Sequence, residues 1–124
     1  MKIAVCYDKG LVFQHFGKTK EFKIYEINNN EIINSYIISN NGITHCSLVS
    51  YLKENNVDCL ICGGLGYGAI SKLNELNIKL YAGVSGNADS KVLDLLNKKL
   101  EYDNEHICED EQLHSCGSGI NPLV

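Results

Sequence analysis

The chain has 124 residues, 44% of them hydrophobic, enough for one domain with a real core and too few for two. All 11 basic residues are lysines placed before residue 100, so the body is nearly neutral, whereas Glu101, Asp103, Glu105, Glu109, Asp110 and Glu111 make the tail acidic. The absence of arginine removes the bidentate fork used on phosphates and base edges, and no basic patch replaces it, which argues against nucleic acid as a partner.

No run approaches the roughly 18 apolar residues of a membrane span, and Asp8 arrives too early for the apolar region of a signal peptide. A cytoplasmic protein is expected, with no membrane partner. In a reducing compartment Cys6, Cys46, Cys59, Cys62, Cys108 and Cys116 read as thiols, metal ligands or small buried hydrophobes before disulfides.

Lys2 to Tyr7 is a short apolar run, predicted as a buried first strand. A loop from Asp8 to Lys20 follows and holds His15-Phe-Gly17. Glu21 to Ile27 and Glu31 to Ser39 are strands rich in Ile, Tyr and Phe, joined at Asn28-Asn-Asn30, where asparagine tolerates the left-handed geometry of a turn. Thr44 is placed to cap a helix carrying Leu48, Val49 and Leu52 at helical spacing. Beyond it strand and helix alternate: strand Val57 to Cys62, helix Tyr67 to Leu76, strand Ile78 to Val84, helix Ala88 to Lys98.

Alternation with short loops predicts parallel strands and right-handed crossovers, with helices on both faces. The outcome is an α/β fold with a five-stranded mixed sheet of order 3-2-1-4-5. Strands 1, 3, 4 and 5 then share one carboxyl edge. The loops holding His15, Thr44-His-Cys46, the glycine run after Cys62 and Gly83-Val-Ser-Gly86 all follow such ends. That edge is where open α/β sheets bind ligands.

The densest chemistry lies at Cys62-Gly-Gly-Leu-Gly-Tyr-Gly-Ala69, a thiol at a strand end followed by a bare backbone and a helix start. Cys62 is expected as a metal ligand, and Gly63, Gly64 and Gly66 as backbone donors to a ligand. Cys59, at an odd offset from Cys62, falls on the opposite face of the strand and reads as core, as does Cys6. His15, His45 and Cys46 reach the same edge, and imidazole with thiolate suits iron, copper or zinc. Gly83, Ser85 and Gly86 complete the expected site.

Gly64-Leu-Gly-Tyr-Gly-Ala69 also fits the dinucleotide fingerprint, but the next strand ends Gly83-Val84-Ser85, without the carboxylate a ribose requires. In the tail, His106-Ile-Cys108 and His114-Ser-Cys116 are two H-x-C pairs able to close on one metal such as zinc, although the spacing matches no common zinc module.

Met1-Lys-Ile-Ala-Val5, His15-Phe-Gly17, Gly63-Gly-Leu-Gly66 and Gly83-Val-Ser-Gly86 together resemble the dinitrogenase iron–molybdenum cofactor biosynthesis domain, over about residues 1–100. The resemblance implies a ribonuclease-H-like three-layer fold and a role as a small carrier or assembly factor for iron–sulfur or molybdenum-containing clusters, working with a cluster-donating or accepting protein. The sequence departs from the pattern at Tyr67-Gly68, where proline and arginine are expected. A nuclease reading fails, because strand 1 has no acid in its middle and strand 4 ends in Cys62. Three readings result: a cluster-binding protein that is not an enzyme, a nucleotide-binding enzyme using the Gly64–Ala69 loop, or an interaction module without a small ligand. Residues 101–124 are expected to form a mobile tail beyond the domain.

Overall fold

A computed structural model describes residues 1–43 and 47–104. In chain order the elements are β1 (Lys2–Asp8), β2 (Leu11–Val12), β3 (Glu21–Asn28), β4 (Glu31–Ser39), α1 (Leu48–Glu54), β5 (Cys59–Ile61), α2 (Tyr67–Glu75), β6 (Lys79–Tyr81) and α3 (Ala88–Leu96). The sheet runs β4-β3-β1-β5-β6, which is the expected order 3-2-1-4-5. β1, β5 and β6 are parallel, and β3 is antiparallel to both β1 and β4.

Period-two alternation splits β1 between two cores. Ala4 and Cys6 point to the face covered by α1 and α2, where they meet Phe22, Ile24, Leu52, Leu60, Cys62 and Leu73. Ile3 and Val5 point to the other face, against Tyr25, Cys59, Ile61 and, from α3, Ala88 and Val92. Cys59 and Cys62 therefore do lie on opposite faces. Burial pushes the Cys59 thiol above the usual range, with Asp58 adding to the effect, so it stays protonated.

Turn chemistry follows the sequence. Asn29 and Asn30 both adopt positive φ, joining β3 to β4 in the two-residue hairpin geometry such pairs favour. Asn56, Asn77 and Lys98 stand left-handed just beyond α1, α2 and α3, in the position that closes a helix.

Two features were not expected. β2 pairs with the end of β1 (Tyr7 opposite Val12, Asp8 opposite Leu11) after a turn through Lys9 and Gly10, both at positive φ. The second is at the other end. Instead of leaving the domain at residue 100, the chain runs along the outer edge of β6. The Asp103 N–H donates to Ala82 O at 2.7 Å, Asn104 Oδ1 accepts from Ala82 N–H at 2.9 Å, and Asn104 Nδ2 donates to Leu80 O at 3.1 Å. Tyr102 packs edge-on against Tyr81 with ring centroids 4.9 Å apart. Residues 102–104 thus belong to the folded body, and the expected tail from residue 105 onward lies outside the described residues. Among the described residues no helix is long and apolar enough to cross a membrane.

Candidate functional site

The carboxyl ends of β1, β5 and β6 share one edge, and backbone hydrogen bonds stitch the loops above them together. β2 and the residues after it are the needle. Phe13 N–H donates to Cys6 O at 2.7 Å, Gly63 N–H to Phe13 O at 3.3 Å and Gly64 N–H to Gln14 O at 2.8 Å. Phe16 N–H returns a bond to Gly64 O at 2.9 Å, so His15 and Gly64 pair as in a parallel bridge. On the far side Gly83 N–H donates to Gly63 O at 2.7 Å and Val12 N–H to Gly86 O at 2.9 Å. The Gln14 side-chain amide donates to both Val12 O and Val84 O, at 3.0 and 3.1 Å. The His15 loop, the glycine loop after β5 and Gly83–Gly86 therefore converge as expected.

His15 is held from below. Phe16 is buried with its ring 6.2 Å from that of Phe22, and the turn closes through Lys18 N–H and the buried Thr19 hydroxyl, both donating to His15 O. Asn40 Nδ2 ties Thr19 O to the end of β4 at 3.0 Å. The imidazole is half-buried at the surface, in a T-shaped contact with Phe13 at 6.1 Å.

Two expectations need correction. Cys62 does not open the loop to a metal: it is fully buried in the core beneath α1 and α2, because the residue after β5 continues the strand's inward alternation while Phe13 and Gln14 cross the chain just beyond it. Nor do Gly63 and Gly64 offer their N–H groups to a ligand, since both are engaged by Phe13 and Gln14. Gly63, Gly64 and Gly66 are all buried. A Cβ on Gly63 would lie 2.6 Å from Gln14 Cα, so the bare backbone there admits a neighbouring strand and not a ligand. Gly64, the first glycine of the nucleotide fingerprint, is buried with its N–H taken by Gln14 O.

What faces outward is different. Gly66 caps α2 without a side-chain hydrogen bond, and Tyr67 and Gly68 in its first turn are exposed. First-turn N–H groups have no partner within a helix and favour negative charge. Across the Gln14 bridge, Gly83, Ser85 and Gly86 are exposed, with Gly83 and Gly86 at φ +72° and +111°. A hollow of about 300 Å³ lies there, lined by Gly83, Val84, Ser85, Lys91 and the returning Glu101–Asp103. Among the described residues no three His, Cys, Asp or Glu side chains converge on a point that could hold a metal ion. Of the expected ligands, His15 is present at the edge and Cys62 is below it; His45, Cys46, His106, Cys108, His114 and Cys116 lie outside the described residues.

Sequence reasoning missed Gln14 and Asp103. Gln14 gave no signal, because its partners are remote in sequence; Asp103 was visible only as part of an acidic run.

An uncharacterized protein of Methanocaldococcus jannaschii is 33% identical over 109 residues, covering 82% of this chain and 90% of its own. Among solved structures, PH0822 superposes with a TM-score of 0.79 at 23% identity over 85% of this chain and 96% of its own. The apo form of the orange protein of Desulfovibrio gigas does so with a TM-score of 0.72 at 18% identity, over 83% and 92%. At those identities the two structures speak for the fold alone. The family profile described as dinitrogenase iron–molybdenum cofactor matches residues 1–99, and with a curated relative at one-third identity over most of both chains, this chain belongs to that family.

Proposed function

We propose that the protein is a carrier or assembly factor that takes an anionic iron–sulfur or molybdenum-containing cluster as cargo at the carboxyl edge and passes it between a donating and an accepting protein. One observation carries the reading: the backbone on either side of His15, at Gln14 O and Phe16 N–H, is bonded to Gly64, and Gly64 leads through the N-cap Gly66 into the exposed first turn of α2. An imidazole can ligate iron or molybdenum, and first-turn N–H groups can hydrogen-bond cluster sulfides and offset their charge. The buried glycine loop acts as a rigid floor for both. On this reading the role is binding and not catalysis; among the described residues Cys6, Cys59 and Cys62 are buried and are not presented as nucleophiles.

Anaerobic reconstitution with iron, sulfide and molybdate, followed by visible absorption and metal analysis, tests the reading. The wild-type protein is expected to take up cluster, and His15→Ala to weaken retention by about tenfold or more, since even residues that only hydrogen-bond to a metal's ligands contribute that much. Absence of metal uptake combined with tight binding of NAD or ATP would overturn it in favour of a nucleotide site.

A further inference from the structure

The two edges of the sheet are finished differently. The β6 edge is covered by Asp103 and Asn104 of the same chain. The opposite edge is β4, nine residues long, and among the described residues it pairs with β3 alone. Edge strands of this length are usually protected by lysine, proline or inward charges. β4 has no lysine and no proline, and its one charge is Glu31 at the start. A bulge at Ile33, where Ile27 faces Ile32 and Glu26 faces Asn34, leaves Asn34–Ser39 in regular register. Ile33 and Ile37 are 62% and 48% exposed, high values for isoleucine.

We propose that β4 pairs antiparallel with β4 of a second copy, joining two sheets across a two-fold axis. The strand is near-symmetric in its own sequence. Ile33 and Ile37 flank a polar-aromatic centre, so an antiparallel copy centred on Ser35 lays Ile33 opposite the partner's Ile37 and Asn34 opposite the partner's Tyr36, while the bulge leaves Ile32 packed on the α3 face and Ile38 on the α1/α2 face, outside the match. An isologous contact requires that kind of self-complementarity. Charge selects the same direction. A parallel pair would stack the two Glu31 carboxylates, whereas the antiparallel pair separates them by roughly 27 Å at about 3.4 Å per residue. Each Glu31 is then carried to the far end of the neighbouring strand, where Lys18 and Lys20 flank Ser39 and Asn40 together with Asp8 and Glu21. Because the β6 edge is already covered, assembly stops at two copies and does not propagate as a fibre. The carboxyl edge with His15 stays open in both copies, so the dimer is independent of what that edge carries.

Analytical ultracentrifugation of the full chain across a concentration series is the test. The wild-type protein is expected to reach twice its 13.8 kDa mass as concentration rises. Ile37→Lys, at a half-exposed position, should stay monomeric throughout, and Ile33→Lys should do the same. Leu93→Lys, at an equally exposed site on α3, should dimerise like wild type. Hydrogen exchange supplies a second readout, with β4 amides gaining protection as the dimer forms. A wild-type monomer at every concentration, a dimer that survives both isoleucine changes, or a dimer lost in Leu93→Lys but kept in Ile37→Lys would overturn the proposal.

Discussion

At the carboxyl edge the turn from Cys62 to Gly66 lies wholly inside the protein, while the turn from Gly83 to Gly86, joined to it by the bond from Gly83 N–H to Gly63 O, is largely on the surface. Both are glycine-rich and both follow a parallel strand. Their glycines nevertheless answer different demands. Gly63 is bare because Gln14 crosses directly over it, and Gly83 is bare because its φ of +72° suits glycine and Asp103 presses against it. A glycine run after a strand therefore announces close approach without saying whether the neighbour is a ligand or the protein itself.

The comparison can be broken by adding one methyl group at a time. Gly63→Ala should cost the most, about 3 kcal/mol or more, because its Cβ meets the Gln14 backbone at 2.6 Å and the relief must come from moving the segment that seals the site. Urea unfolding would register this as a lower midpoint at unchanged slope; a loss under about 1 kcal/mol would mean that the floor yields. Gly83→Ala should cost less, about 1–2 kcal/mol, the penalty of a left-handed L-residue, with contacts of 3.0–3.1 Å to Asp103 that a small shift of the returning chain relieves. Near-UV circular dichroism should report that shift through the Tyr81–Tyr102 pair, and an unchanged spectrum would show that the chain does not move. Gly68→Ala should have the smallest effect and the opposite sign. Nothing lies within 4 Å of its Cβ, so exchanging glycine for alanine in α2 should stabilise by roughly 0.5–1 kcal/mol. A destabilised Gly68→Ala would mean that the first turn of α2 is more crowded than it is here.

Much of this was legible from the sequence. Hydrophobic alternation located the strands of the sheet path, strand–helix alternation fixed its order, and the odd spacing of Cys59 and Cys62 put them in different cores. What escaped was long-range. β2 is two residues long, too short for any periodic signal, and its local trace was the Lys9-Gly10 turn. Gln14 lies 49 positions before Gly63, so nothing near the glycine run shows that its space is taken. The polar, acidic Tyr102–Asn104 was read as the start of a mobile tail, because it is held by hydrogen bonds to a strand edge and not by apolar burial. The position of His15 at the carboxyl edge and the meeting of three loops there were legible, whereas at Cys62 the backbone exit is at the edge but the side chain turns inward.

The central claim is that the edge beside His15 carries a metal–sulfur cluster as cargo. Metal and sulfide analysis of the protein purified without oxygen tests it most directly. The account predicts that iron or molybdenum co-purifies with sulfide in wild-type protein and falls away in His15→Ala, with folding unchanged by circular dichroism. Wild-type protein that is free of metal and sulfide, and that also takes up none on anaerobic reconstitution, would contradict it.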